Sequence, residues 1–284
     1  METKLQWNLR VLKEIFLPLK KEHWNHTQYD TVSIMSFNLR GDKSKDKTNS
    51  WVQRRESVIE MIKHEQPDII CCQEIWTQMV KYMLSKIGCN YNSYGRDAFY
   101  GTHFNTSCLI TMGNCIFYNK HKFEILDKET FWLSDKTKYP NCTWGHTEPR
   151  NCVVVKLRDK ITGKLYTIFN THFDHTSEDA RTKATELVVK KMEDYKDTEI
   201  YVMGDFNASI TESTLMRFNE FLYFPRPNTV KTTFNGFTAN KNKVIDYIIT
   251  NNKNGEYMFK LIEDGYGVPY LSDHYPIILY KDRD

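Results

Sequence analysis

The apolar positions of this chain change their spacing several times, and each change predicts an element. Leu5, Leu9, Leu12, Phe16 and Leu19 recur at helical intervals with lysines between them. Residues 1–30 therefore read as an amphipathic N-terminal helix and a lead-in, packed on the rest of the chain or docked to a membrane surface or a partner. From residue 31 the period shortens. Residues 31–38 predict a strand, and 50–66 a helix that Ser50 can cap, with Val52, Val58, Ile59 and Ile62 facing inward. Pro67 and Asp68 end it. The uninterrupted apolar run 69–73 predicts a strand buried on both faces, and 77–87 a second helix. Strands then dominate, around 107–110, 115–119, 123–133, 151–159 and 164–173, with Gly163 in the turn before the last of them. Residues 176–195 form a capped helix, led by Thr176 or Ser177 with acids in its first turn. A strand at 200–203 comes next, then a loop-rich segment, then strands at 244–250 and 275–280.

Strands and helices mix here without strict alternation, which predicts an α/β domain whose sheets pack together under covering helices. No repeat or linker divides residues 31–284, so they read as one domain behind the segment 1–30. The net charge of +3 neither demands nor excludes a polyanionic partner, so any basic surface must be local. Seven cysteines, two of them adjacent at Cys71 and Cys72, show no zinc-binding spacing. They read as free, mostly buried thiols in a reducing compartment. Charges break the N-terminus below signal-peptide length, and no run reaches membrane-spanning length. The expected location is the cytoplasm, with the nucleus open as well, and the expected state is a monomer.

The polar residues that close the apolar runs carry the chemistry. The first strand ends in Asn38, the next in Gln73-Glu74, and the strand at 164–173 in His172, with Asp174 beyond it. The strand 200–203 runs into Gly204-Asp205-Phe206-Asn207. If extended backbone persists past Gly204, Asp205 and Asn207 leave the same face. Asp246 interrupts the apolar strand 244–250, and Ser272-Asp273-His274 precede the last strand. Strand ends at one edge of an α/β sheet converge, and the loops there hold sites. An aspartate standing alone after a strand is ordinarily a turn residue. Asp246, flanked by isoleucine and tyrosine, instead needs a buried partner. Carboxylates with amide oxygens suit Mg²⁺ or Mn²⁺ bridging to phosphate; two histidines without thiolates leave zinc open. A metal, a carboxylate that activates water and a protonatable imidazole together suffice for hydrolysis of a phosphoester.

These stretches resemble the endonuclease/exonuclease/phosphatase superfamily: NLR at 38–40, QE at 73–74, NTHFDH at 170–175, GDFNAS at 204–209, IDYI at 245–248 and SDH at 272–274. The resemblance implies a four-layer α/β/β/α sandwich, two sheets flanked by helices, with metal-dependent phosphoester hydrolysis at one edge. It implies Glu74 as the principal Mg²⁺ ligand, helped by Asn38, with Asp273 beside the metal. It gives Asp205 the attacking water, Asn207 the phosphate, and His274, oriented by Asp246, the scissile group. His172 would bond the phosphate or assist the leaving group, Arg150 would clamp phosphate, and Asp42 would complete a second metal site. Residues 98–115 depart from the family pattern. Asn114 stands where an acid supporting His172 is expected, which leaves Asp174 as its substitute.

The sequence thus favours a Mg²⁺-dependent phosphodiesterase acting on nucleic acid, with Mn²⁺ as an alternative metal. The segment 226–253 is mildly basic and carries Phe234, Phe237 and Tyr247, which could stack a single strand. The alternative is a phosphatase or phosphodiesterase on a small molecule or lipid headgroup of the inositol phosphate or sphingomyelin type, with 219–228 as a membrane-facing loop. A non-catalytic binding module would have lost a metal or histidine position, and none is lost.

Overall fold

A computed structural model describes residues 30–105, 111–219, 225–227, 229–238 and 241–283, with four isolated positions nearer the N-terminus. The N-terminal helix predicted over 1–30, the strand predicted around 107–110 and most of the loop 219–228 lie outside the described residues.

Among the described residues eleven strands form two sheets. The first sheet has the order β10-β11-β1-β2-β4-β3, from β1 (Thr31–Asn38), β2 (Ile69–Trp76), β3 (Tyr91–Asp97), β4 (Met112–Asn119), β10 (Tyr257–Leu261) and β11 (Ile277–Asp282). The second has the order β5-β6-β7-β8-β9, from β5 (Phe123–Trp132), β6 (Asn151–Asp159), β7 (Leu165–His172), β8 (Glu199–Asp205) and β9 (Asp246–Thr250). Helices α1 (Trp51–Glu65) and α2 (Thr77–Ile87) pack on the first sheet, α3 (Glu178–Met192) and the short α4 (Ser213–Asn219) on the second. The result is the expected four-layer sandwich.

Three apolar layers arise from the alternation of side chains along a strand. Val32, Ile34, Ile69, Cys71, Val153 and Val155 point between the sheets. Their neighbours Met35, Phe37, Ile70 and Cys72 meet α1 and α2, while Cys152 and Val154 meet the second pair of helices. Both faces of the central strands are covered, which is why they read as continuous apolar runs. One polar bridge crosses the middle layer: the Gln73 amide donates to Asn170 Oδ1 at 2.7 Å, and the Asn170 amide donates to the carbonyls of Cys72 and Cys115 at 3.0 Å each. Among the described residues six cysteines are free, and all but Cys142 are buried.

The helix starts differ. Ser177 caps α3, its hydroxyl accepting from the Ala180 N–H at 3.1 Å. Ser50 stands at the N-cap of α1 without a capping bond. Two strands escaped the hydrophobic pattern. β3 carries few apolar residues, and β10 is an edge strand with one half-exposed face.

Candidate active site

The topology gathers the polar strand ends at one edge. β1 and β2 are parallel, joined through α1, and β7 and β8 are parallel, joined through α3. These four strands therefore end together and bring Asn38, Glu74, His172 and Asp205 to the same rim. Their antiparallel neighbours run the other way and contribute from their beginnings. Asp246 opens β9 directly opposite Asp205. Asp273 and His274 stand just before β11, which pairs with β1. A cleft of about 640 Å³ opens there, lined by Glu74, His172, Asp205, Asn207, Asp273, His274 and Arg150 among others. Asn38 and Asp246 are buried beneath it, bonded to those residues.

Asp205 is the hub. Its Oδ2 accepts from the Asn38 amide at 3.0 Å and lies 3.5 Å from His172 Nε2 and 3.6 Å from His274 Nε2. The Asn38 amide also reaches Glu74 at 3.3 Å, so it bridges the two carboxylates, while its oxygen accepts the Arg40 N–H at 2.9 Å. Asp246 holds His274 Nδ1 through both oxygens, at 2.9 and 3.1 Å.

Two of these residues reach the cleft through left-handed backbone. The ladder of β2 against β4 shifts between Cys72 and Ile75, and Glu74 in that bulge has φ +50°. The bulge turns its carboxylate out of the strand's alternation. Asn207 has φ +49°, because β8 ends at Asp205. The two side chains therefore do not leave a common strand face. Instead Asp205 Oδ1 accepts the Asn207 N–H at 2.9 Å, and the turn swings the Asn207 amide onto the Phe173 carbonyl and His172 Nε2, both at 3.1 Å.

The two imidazoles are driven in opposite directions. Burial lowers the pKa of His172 and the Arg150 guanidinium lowers it further, to about 4, although Asp205 and Glu74 pull it up. Its ring nitrogens face Arg150 Nη1 at 3.3 Å and the Asn207 amide at 3.1 Å, surroundings that disfavour a charged ring, although a neutral one can accept from only one of the two donors. Burial also disfavours charge on His274, but Asp246 and Asp205 outweigh it and raise the pKa to about 10. These values contribute to the pH dependence of stability in the metal-free protein. The unfolded value of each is near 6.5. The contribution of His274 is complete below that value and is lost as pH rises toward 10. That of His172 is complete above 6.5 and is lost as pH falls toward 4. Each slope approaches about 1.4 kcal/mol per pH unit inside its window. In denaturant titrations with EDTA, His274→Gln should flatten the alkaline limb and His172→Gln the acid limb. Unchanged limbs would contradict this charge assignment.

The oxygen-rich side of the cleft suits a hard cation. Burial raises the Asp273 carboxyl, and the charge of Glu74 adds to that rise against His274 and Arg40. The chain's own cations already sit on both acids: Lys43 Nζ lies 2.7 Å from Glu74 and Arg40 Nη1 3.0 Å from Asp273. Burial also works against charge on Glu74, but Lys43, His172 and His274 hold its carboxyl below the ordinary range. Asp205, Asp246 and His274 also cluster, with ligand atoms within 4.8 Å of one another. There, however, both nitrogens of a protonated ring face carboxylates, an arrangement of hydrogen bonds rather than of metal ligands.

Arg150, at the start of β6, is 7% exposed, and its guanidinium faces Nδ1 of His172 and of His175, at 3.3 and 3.0 Å. Asn114 bonds Asn151 rather than His172, at 2.8 and 2.9 Å. Asp174 does not replace the missing acid. It accepts from Thr176 and Ser177 ahead of α3 and lies 3.6 Å from Arg150. Asp42 pairs with Arg10 at 2.9 Å and does not line the cleft. The sequence reading missed Lys43, His175, Trp76, Phe99 and Tyr100, all cleft residues, whereas Lys243 belongs to the basic segment it marked. The sequence reading gave no role to Arg54, which is 1% exposed. Arg54 donates to the carbonyls of Leu39 and Leu271 at 3.1 and 2.5 Å, and so ties together the loops that carry Asn38 and Asp273. Its only signal was an arginine inside an apolar helix face.

This fold, with carboxylates and imidazoles meeting at the rim of two packed sheets, defines a phosphoester hydrolase of the sandwich type. Residues 35–274 match the Endonuclease/Exonuclease/phosphatase family, and the chain belongs to it. Members of that family hydrolyse phosphoester bonds and typically use a divalent metal. Over 169 residues the chain is 30% identical to the uncharacterised protein L388 of Acanthamoeba polyphaga mimivirus, a match covering 56% of this chain and 59% of that one. It is 24% identical over 290 residues to the CCR4-Not complex 3'-5'-exoribonuclease subunit Ccr4 of Candida glabrata, covering 81% of this chain and 33% of that one. The chain thus spans less than two thirds of either relative. Among solved structures, a mannosyl-6-phosphatase of Bacteroides thetaiotaomicron superposes with a TM-score of 0.77 at 26% identity, over 87% of this chain and 98% of that one. No helix among the described residues is long and apolar enough to cross a membrane.

Proposed function

We propose that this chain is a Mg²⁺-dependent phosphodiesterase, with nucleic acid as its substrate class. The observation that carries the reading is the Asp205 carboxylate set between a neutral and a charged imidazole, joined to Glu74 through the Asn38 amide. Glu74 and Asp273 would hold the metal, Mg²⁺ or in its place Mn²⁺, with Asn38 fixing the spacing of the acids. When bound, the cation supplies positive charge to a phosphoryl oxygen. Asp205 takes a proton from the attacking water, whose oxygen bonds to phosphorus as the bond to the leaving alcohol oxygen breaks, and that oxygen takes its proton from solvent. His274, kept protonated by Asp246, donates from Nε2 to the phosphoryl oxygen where negative charge builds. Asn207 turns the amide hydrogen that now faces His172 to the phosphate. His172, being neutral, orients Asp205 and Asn207 and bonds the phosphate without carrying charge. Arg150 sets His172 and His175 and adds positive potential behind the phosphate.

Hydrolysis of a phosphomonoester on a small molecule is the second reading, favoured by the 26% identity to a mannosyl-6-phosphatase. One panel separates them: single-stranded RNA and DNA, duplex DNA, inositol phosphates, a sugar 6-phosphate and sphingomyelin, each with Mg²⁺, Mn²⁺ or EDTA. Turnover of single strands that EDTA abolishes is the expected result; turnover confined to monoesters would move the assignment to the second reading. Independently of turnover, Mg²⁺ should raise the melting temperature of the wild type but not of Glu74→Gln. An equal rise in both would remove Glu74 from the metal site.

A further inference from the structure

Eight large apolar side chains are exposed among the described residues, and two of them, Phe99 and Tyr100, are adjacent and face the cleft. They are 36% and 68% exposed. The turn that displays them is braced. The buried Asp97 carboxylate accepts the N–H groups of Phe99, Tyr100 and Thr102 at 3.0, 2.6 and 2.6 Å, and the hydroxyls of Thr102 and Thr111 at 2.5 and 3.0 Å. The Arg96 guanidinium donates to the Gly101 carbonyl at 2.7 Å and stacks over Trp132, whose indole N–H bonds the Ala98 carbonyl at 2.8 Å. Gly101 has φ +70°, and a Cβ there would lie 3.1 Å from the Trp132 ring. Exposed aromatics normally cost solubility, and a loop that holds two of them rigidly toward a catalytic cleft is pre-organised for a ligand.

The geometry points to this turn as a stacking platform: Phe99 and Tyr100, with Trp76 and Met112 on the same wall, take the planar base of a single-stranded nucleotide whose phosphate lies at Asp205 and His274. The inference rests on the phosphoester-hydrolase reading above and names the group next to the scissile phosphate. Three features select a base. Rigid aromatic faces favour a flat π-system over a flexible alkyl chain. A sugar ring would need polar partners beside the aromatics, yet the hydroxyl of the wall residue Thr111 is already bound to Asp97. Across the cleft Phe234, packed edge-to-face on His274 with centroids 5.0 Å apart, and the exposed Lys243 provide an apolar and a cationic contact for a flanking nucleotide. A duplex, whose bases are already stacked on one another, could not use such a wall without unpairing.

The test compares adenylyl-adenosine with its two analogues that each lack one base, using the wild type and the Phe99→Ala/Tyr100→Ala protein in Mg²⁺. Wild-type kcat/KM should fall about tenfold when one of the bases is removed, mainly through KM. In the double variant the ratio of intact to base-less substrate should approach one. The same ratio in both proteins overturns the platform and leaves the hydrolase reading intact. So does a wild type that cleaves other phosphoesters but no dinucleotide. Equilibrium binding gives an arm that needs no turnover. Adenosine 5′-monophosphate should bind the Asp205→Asn protein about tenfold more tightly than ribose 5-phosphate, and the two alanines should erase the difference. Equal affinities before the alanines are introduced also overturn the platform. Because both side chains are exposed, the double variant should melt with the wild type.

Discussion

Asp205→Asn is expected to lower the rate of phosphoester hydrolysis about 1000-fold while the protein stays folded, in line with the loss of a positioned general base. The substitution is nearly isosteric. An asparagine oxygen can still accept the Asn207 N–H that Asp205 now accepts at 2.9 Å. What disappears is the charge. Oδ2 faces the Asn38 amide and the imidazoles of His172 and His274, so an amide there can neither take a proton from water nor balance His274. The effect should fall on kcat rather than KM if, as proposed, Asp205 acts on the nucleophile. Single-turnover rates of the two proteins on the best substrate of the panel provide the measurement. A loss below about tenfold would assign proton removal to another group.

Gly204→Ala should be the most damaging single substitution in the second sheet. Gly204 has φ +148° and pairs with Thr171 across the parallel β7–β8 ladder. A Cβ at this position would lie 1.8 Å from the Thr171 carbonyl oxygen and 2.9 Å from its carbon. Both atoms are backbone, so no side-chain rotation relieves the overlap and the strands must part. A cost of about 3 kcal/mol or more is expected from overpacking together with strained backbone. The next pair in the ladder is His172 with Asp205, so the same displacement opens the catalytic contact. The melting temperature and kcat should therefore both drop, whereas Gly163→Ala, at a turn with open space around it, should leave kcat unaltered. A wild-type melting curve for Gly204→Ala would overturn the close approach of the two strands.

The fold was legible because both faces of β1, β2, β7 and β8 are buried, and continuous apolar runs are conspicuous in a sequence. The polar strand ends were legible for the same reason, since a carboxylate or imidazole stands out against isoleucine and valine. What the sequence hid depends on backbone angles and on long-range contact. Nothing in Gln73-Glu74 announces a bulge with φ +50°, and nothing in GDFN shows that the strand stops before Asn207. The surroundings of His172 were equally hidden. Its nearest charged neighbour outside the acid cluster is Arg150, from a different strand, rather than the aspartate two residues along the chain. Lys43 and Phe99 lie in loops without periodicity, where a cation or an aromatic carries no sign of its direction.

The first sheet is assembled from both ends of the described chain. β1 is hydrogen-bonded on one side by β2 and on the other by β11, with Thr31 opposite Asp282. During synthesis the second sheet and its helices can form while one edge of β1 still has no partner. That edge stays open until β11, and the Asp273-His274 pair that precedes it, have left the ribosome. Until then that edge is open to pairing with a neighbouring chain. A chain cut before Asp273 would keep every strand of the second sheet but lack Asp273, His274 and the strand that closes β1.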